Sequence, residues 1–356
     1  SETGKNEDET SATRNFTVNG SISGLSKLKV FSFGPRPQDF IACNAPIQPL
    51  FDLGVEIQEN SELDLLVAYR KHENDPRIEG LAREMAEETG SQNPYAGILP
   101  KLAQYEITLM DWAQENLGSR EYCVFANKCW PAFQTEFGFV PCYVNSRLAA
   151  KGYPVSCEVD IFGAVSEYIG VCIADDAVTL LDINNSVPKD MYDADIAGQY
   201  AYTLQDVFMG FHCGNTPVCK LKRANMSYQR IMKRSLEPDS EPNITRGTME
   251  GDIVEGEITF YRLQGNARGK LTAYVAQGEV LPVATRSFGG IGIFAIKEMG
   301  RFYRHVLIEK NYPHHGAVVF GHYGKAIYST LRYLGIEDIS FNQPSGMLYK
   351  TENRFA

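Results

Sequence analysis

The sequence predicts an α/β protein in two parts, a mostly parallel sheet covered by helices and a C-terminal domain with an antiparallel, barrel-like portion. Between residues 28 and 173, short apolar runs alternate with stretches of helical periodicity, as in sheets covered on both faces. Between residues 247 and 282, two alternating runs flank the turn sequence GNARG, which indicates a β-hairpin. We therefore predict a polar tail or linker (1–27), an α/β domain (28–173) and a C-terminal domain (174–356).

Composition and charge limit the classes of function. The 356 residues are enough for about two domains, and 44% apolar with 22% charged residues is a globular mixture. No apolar run reaches the length of a membrane span, and the start SETGKNEDETSATRN is too acidic and polar for a signal peptide, so we expect a cytoplasmic protein. A net charge of −10 without a basic stripe argues against nucleic acid or an anionic membrane as partner. Eight cysteines without CxxC spacing are expected to be reduced and mostly buried. A small neutral ligand fits this composition best.

The first domain opens as a β-α-β unit of Rossmann-like type. LKVFSFG, starting at Leu28, predicts a buried strand, the segment from Pro37 to Asp52 predicts a helix, and GVEIQ predicts a short strand. The elements predicted next are helices at 61–72, 76–90 and 98–118, a buried strand at 122–129 and a helical segment PAFQTEFG.

Two carboxylates occupy positions suited to ligand binding. Glu158 directly precedes a segment whose apolar residues recur at steps of three and four, so it lies at a helix start. Asp182 ends the apolar run AVTLLD, and in a parallel sheet the carboxyl ends of strands face the ligand crevice. Taken singly, Glu158 is equally explained as an acid stabilised by the helix dipole, and Asp182 as the first residue of a turn.

Three of the six histidines, His314, His315 and His322, lie in the segment KNYPHHGAVVFGHYG. A histidine pair in a turn between apolar runs is either bonded to backbone groups or a pair of metal ligands, and the second interpretation requires further donors elsewhere in the chain. Glu158 and Asp182 supply them. A Glu, Asp and His set suits Mn²⁺ or Mg²⁺, whereas thiolates would favour zinc.

The phrases CEVDIFGA, LLDINN, FHCGN, SFGGIG and PHHG, in this order, resemble those of the L-fucose isomerase and L-arabinose isomerase family. FSFGPRPQDF and KCWP are similar to that family's middle domain, and the resemblance covers roughly residues 28 to 340. In the family a Glu, a second acid and a His hold Mn²⁺, which implies Glu158, Asp182 and His315 as ligands. Aspartate at the second position is closer to L-fucose isomerase. His212 lies near the extra His ligand of the arabinose isomerases without matching it, and is expected only as a pocket residue.

The resemblance implies a metal-dependent aldose–ketose isomerase of the L-fucose, D-arabinose or L-arabinose type, with a monosaccharide as its partner. Glu158 and Asp182 would share the ligand and acid–base roles, with Mn²⁺, or alternatively Mg²⁺, as cofactor. We expect Trp130, Gln134 and His314 to line the sugar pocket, although Trp130 equally fits a core aromatic. A homo-oligomer, trimer or hexamer, is also expected.

The chain departs from the family pattern at its start. Family members carry an N-terminal domain that helps shape a neighbouring subunit's pocket, whereas a polar segment stands before FGPRP here, as expected for a fragment or a shortened relative. The alternative function is therefore a non-catalytic sugar-binding or regulatory relative. A metal-dependent hydrolase is a weaker third hypothesis, since no second cluster of acids and histidines suggests a two-metal site.

Overall fold

The computed structural model describes residues 23–231 and 245–352, in which a parallel sheet packs beside a closed antiparallel barrel. Residues 1–22 of the predicted tail lie outside the described residues. The last residues of that predicted tail join the fold, because residues 23–25 form a helical turn and Leu25 is fully buried.

The first sheet has four strands in the order β2-β1-β3-β4, and all of them are parallel, which confirms the predicted parallel sheet. Its strands are β1 (Leu28–Phe33), β2 (Glu56–Asn60), β3 (Tyr122–Ala126) and β4 (Val155–Ser156). The helices of this part are α1 (Gln48–Asp52), α2 (Glu62–Lys71), α3 (Arg77–Thr89), α4 (Leu99–Asn116), α5 (Cys142–Ala150) and α6 (Ile161–Ala174). Every residue of β1 is buried, which agrees with the high apolar content of its sequence LKVFSF.

Two predicted helices differ from the structure. The single helix expected from Pro37 to Asp52 is wrong: a 3₁₀ turn, Gln38–Cys43, is separated from α1 by extended chain that contains Pro46. A proline lacks the N–H that a helix interior needs, so the two turns cannot merge. The segment PAFQTEFG forms only one wide helical turn, Phe133–Phe137, which ends at Gly138 in the left-handed conformation.

The C-terminal part is built on a barrel. Its strands are β5 (Val178–Ser186), β6 (Val207–His212), β7 (Leu221–Tyr228), β8 (Arg246–Ile253), β9 (Gly256–Gly265), β10 (Leu271–Leu281), β11 (Gly290–Ala295), β12 (His315–Phe320) and β13 (Asp338–Phe341). Six of them close a ring in the order β5-β6-β11-β10-β9-β12 and back to β5, with every pairing antiparallel. This confirms the barrel-like portion, and the GNARG turn lies between β9 and β10 as predicted.

The remaining elements extend this barrel. β7 pairs with β8 in antiparallel orientation, β8 pairs in parallel with β11, and β13 pairs in parallel with β10. The helices here are α7 (Lys189–Asp195), α8 (Met299–Phe302) and α9 (Gly324–Tyr333). In the described ranges, every helix is too short or too polar to cross a lipid bilayer.

Helix α6 lies between the two sheets. It contacts β5, β9 and β12 of the barrel and β1, β3 and β4 of the parallel sheet. Because both flanks are covered, almost all of its residues are buried, as its nearly uniform apolar sequence requires. At Gly170 a Cβ would stand 2.2 Å from the Tyr261 hydroxyl, so only glycine lets the helix approach the barrel this closely. The residues just before α6 are thereby fixed at the boundary between the two sheets.

Candidate metal centre

Glu158 is held in a strained turn between β4 and α6. It lies in the 3₁₀ turn Cys157–Val159, and both Glu158 (φ 60°) and Val159 (φ 52°) are in the left-handed region. The Val159 N–H donates to the Asn127 carbonyl at 3.0 Å, which ties the turn to the loop after β3. Left-handed backbone is costly for a β-branched residue, and such strain is common at functional sites. The turn directs the Glu158 carboxylate toward the barrel.

Asp182 and His315 come from two neighbouring barrel strands. They are paired partners in the antiparallel register of β5 and β12, although 133 residues separate them in sequence. The prediction that Asp182 follows a strand of the parallel sheet is therefore wrong, since β5 belongs to the antiparallel barrel. Strand pairing, not the carboxyl edge of a parallel sheet, places this carboxylate beside the histidine.

The three predicted ligand groups converge on one point. The His315 Nε2 atom lies 3.1 Å from Asp182 Oδ1 and 3.3 Å from Glu158 Oε2. The His315 side chain is fully buried, whereas the Asp182 side chain keeps 24% of its surface exposed. The convergence point is therefore enclosed by protein around His315 and open to solvent beside Asp182.

A buried ion pair fixes the orientation of the His315 ring. Its Nδ1 lies 2.8 Å from Asp160 Oδ2, and both Asp160 oxygens accept from the Arg262 guanidinium at 2.8 Å. Burial opposes ionisation of Asp160, but Arg262 and His315 outweigh it and hold the pKa of this carboxyl well below its usual range. With Nδ1–H donating to a carboxylate, Nε2 is the atom presented to Glu158 and Asp182.

The resulting arrangement calls for a cation. In the neutral tautomer, His315 Nε2 carries a lone pair and lies close to two carboxylate oxygens, so three electron-rich atoms are crowded together. Among the described residues, Asp182 Oδ1, His212 Nε2 and His315 Nε2 are buried without a hydrogen-bond partner, since the short approach of Asp182 to His315 lacks hydrogen-bond geometry. Asp182, His212 and His315 each offer a ligand atom within 4.8 Å of the others. A proton on His315 or a metal ion relieves this repulsion, and the nitrogen and oxygen donors fit Mn²⁺ or Mg²⁺.

The same charged groups account for the pKa shifts of Glu158 and His315. Burial disfavours the ionised form of Glu158, but His315 and His314 outweigh it, so the pKa of Glu158 is lowered. Burial disfavours the charged form of His315 too, yet nearby Cys43, Glu158, Asp160 and Asp182 raise its pKa well above the usual value. In a site without metal, a proton therefore takes the place of the cation.

The predicted sugar-pocket residues have different surroundings. His314 Nε2 lies 3.1 Å from Glu158 Oε2, and its partly exposed ring packs on Phe40 with 5.1 Å between ring centroids. Trp130 is buried and packs edge-on against the same Phe40, with 5.6 Å between ring centroids, so the Phe40 ring contacts both Trp130 and His314. Gln134 is buried in the turn Phe133–Phe137. Roles for all three in sugar binding stay predictions.

Several residues of the centre were not assigned from the sequence. Asp160 and Arg262 were not singled out, although Asp160 stands two residues after Glu158 in the same CEVD phrase. His212 was expected only in the pocket, and the structure brings it to Asp182 and His315. The expectation for the cysteines is confirmed, since all eight are free and five are buried.

Comparison with known proteins shows which family the barrel resembles. Residues 210–341 match the family model of the L-fucose isomerase C-terminal domain. This segment contains most of the closed barrel and the His315 strand. This part of the chain is therefore similar to the L-fucose isomerase C-terminal domain, and the resemblance predicted from the motifs is confirmed.

Individual relatives extend the similarity over most of the chain. The sulfoquinovose isomerase of Alkalicoccus urumqiensis is 24% identical over 318 residues, 88% of this chain and 64% of the relative. That of Priestia megaterium (strain ATCC 12872 / QMB1551) is 24% identical over 332 residues, 91% of this chain and 67% of the relative. That of Clostridium sp. (strain MSTE9) is 27% identical over 212 residues, 58% of this chain and 42% of the relative. The chain thus spans about two thirds of the length of the first two relatives.

Proposed function

We propose that the protein is a metal-dependent aldose–ketose isomerase that moves a proton between C1 and C2 of an open-chain sugar. The observation that carries this proposal is the convergence of Glu158, Asp182 and His315 on one point, where Asp182 Oδ1 and His315 Nε2 are buried without a hydrogen-bond partner. The L-fucose isomerase domain and the sulfoquinovose isomerase relatives support it independently.

Glu158, Asp182 and His315 would hold the metal ion, with His212 close enough to be a fourth donor. When bound, a divalent ion at this point makes the carbonyl more electrophilic and the adjacent C–H more acidic. Its charge also lets two neighbouring carboxylates stay ionised.

The chain's own groups perform the proton transfers. One of the two carboxylates, Glu158 or Asp182, takes the proton from C2 of the aldose, which leaves an ene-diol, and the same group returns the proton to C1. The hydroxyl proton of O2 moves to O1 in the same conversion. His314, partly exposed and 3.1 Å from the Glu158 carboxylate, is placed to contact those oxygens. Asp160 keeps the His315 ring in the orientation that leaves Nε2 free for the metal.

The test is conversion of sugars in deuterated water by the purified protein with Mn²⁺. The panel contains L-fucose, D-arabinose and L-arabinose, together with sulfoquinovose, the sugar in the names of the relatives. We expect turnover of at least one sugar with solvent deuterium at the carbon that receives the proton. Product without label would replace the ene-diol by a hydride shift, and sugar binding without turnover would favour the non-catalytic alternative.

Amide variants assign the base. Glu158→Gln and Asp182→Asn keep shape and remove basicity, and the variant that lacks the base should lose on the order of 10²-fold or more in kcat. Glu257→Gln, at an exposed barrel position, is the matched control. Near wild-type rates in both Glu158→Gln and Asp182→Asn, with Mn²⁺ bound normally, would rule out this mechanism.

A further inference from the structure

Cys43 is a thiol placed against the metal centre. It is the last residue of the 3₁₀ turn Gln38–Cys43 and is almost fully buried. Its Sγ lies 3.6 Å from His315 Nδ1, whereas the carboxylates of Glu158 and Asp182 lie near Nε2, the other ring nitrogen. The proton transfers proposed above do not use this thiol, and a site for Mn²⁺ or Mg²⁺ does not need a sulfur donor.

Cys43 has two further donors within reach. Cys43, Glu158 and His314 each offer a ligand atom within 4.8 Å of the others, and His314 Nε2 is 3.1 Å from Glu158 Oε2. The contact between the Phe40 and His314 rings limits the movement of the imidazole. The side chain of His314 is 30% exposed, so an ion has a route from solvent to this group.

The donor chemistry differs from that of the first site. A thiolate, an imidazole and a carboxylate form a set that favours zinc-like ions over Mn²⁺ and Mg²⁺. Three protein donors also leave a fourth, tetrahedral position for water.

We propose that Cys43, Glu158 and His314 form a second site, selective for thiophilic divalent cations such as Zn²⁺ or Cd²⁺, that inhibits the protein by withdrawing Glu158 from the first site. As the metal–sulfur bond forms, the thiol proton is released to solvent, with no change of oxidation state. Competition with Mn²⁺ follows from the shared Glu158 and from repulsion between two neighbouring dications. The inhibitory part rests on the proposed function, whereas the binding part does not.

Cadmium is the probe, because a Cd–thiolate bond gives a charge-transfer absorption in the ultraviolet that carboxylate and imidazole ligation does not give. Cd²⁺ is titrated into the reduced protein and into three single variants, Cys43→Ser, Cys219→Ser and Cys213→Ser. Cys219 is exposed and serves as the control, and Cys213 represents the partly buried thiols. We expect that only Cys43→Ser weakens the tightest Cd²⁺-binding step, by at least about tenfold.

Two further measurements complete the test. Saturating Mn²⁺ should raise the Cd²⁺ concentration needed for the Cys43-dependent step, and His314→Gln should weaken that step without changing the number of thiols. An unchanged titration in Cys43→Ser, or loss of the step in Cys213→Ser instead, would overturn the proposal. If no sugar is turned over while the Cys43-dependent step persists, the proposed function fails and the thiophilic site stands. Turnover that Cd²⁺ inhibits equally in wild type and Cys43→Ser would end the inhibitory role.

Discussion

The parallel sheet and the barrel contribute to the candidate metal centre in different ways. The barrel supplies Asp182 and His315 from paired positions of regular strands, where the hydrogen-bond register sets their separation. The parallel sheet supplies Glu158 from a turn with two consecutive left-handed residues. Regular pairing makes the barrel side rigid, whereas the strained turn persists only because its surroundings hold it. The centre thus depends on the contacts that fasten the turn to the barrel.

The first prediction concerns a substitution that breaks the buried ion pair among these contacts. Asp160→Ala removes the carboxylate that joins the start of α6 to Arg262 of the barrel and leaves that guanidinium buried and unpaired. We expect a loss of about 3–5 kcal/mol in the free energy of unfolding, measured with urea. Asp193→Ala, in the exposed pair with Lys189, is the control and should leave stability unchanged within error. If Asp160→Ala loses no more unfolding free energy than the control does, the Asp160–Arg262 pair does not hold α6 on the barrel.

The second prediction concerns pH and uses Glu167, which lies on α6 and is buried with one unpaired oxygen. Burial first, and the charge of Asp160 next, raise the pKa of Glu167 to about 8. Because the folded state holds this proton more tightly than the unfolded state, its contribution to stability is complete at low pH. It is lost as pH rises from the ordinary carboxyl pKa toward 8.

Glu167→Gln cannot ionise, so the variant should gain in melting temperature relative to wild type as pH rises from 5 to 9. The measurement is thermal unfolding of both proteins in the presence of a chelator, which keeps metal from changing the charges nearby. A constant difference across this pH range would contradict the raised pKa.

The third prediction compares the packing of the two regions with one substitution in each. In the barrel strand β12, a Cβ at Gly316 would stand 2.0 Å from a ring carbon of Phe260, so Gly316→Ala should cost about 1–3 kcal/mol. In α3, a Cβ at Gly80 meets nothing within 4 Å, so Gly80→Ala should stabilise by about 0.5–1 kcal/mol. Calorimetry measures both, and a destabilising Gly80→Ala together with a neutral Gly316→Ala would reverse the comparison.

Local signals in the sequence predicted several of the secondary-structure elements. The alternating runs around GNARG predicted β9 and β10, and the apolar steps after Glu158 predicted α6. The same reasoning failed between Pro37 and Asp52, where Pro46 divides the segment into two short turns. Asp182 was correctly expected near the site, but on the premise of a parallel sheet, because a buried strand has the same apolar pattern in a parallel sheet and in a barrel.

The sequence by itself determined the strand–helix alternation of the first part, the β9–β10 hairpin, the family resemblance and the three groups expected to bind metal, because these follow from residue type and spacing. Only the tertiary structure decided that Asp182 pairs with His315, that Arg262 reaches Asp160, and that Cys43 lies against the centre. These contacts join residues 102 to 272 positions apart. Strand register and layer packing fix such contacts, and no local periodicity encodes them.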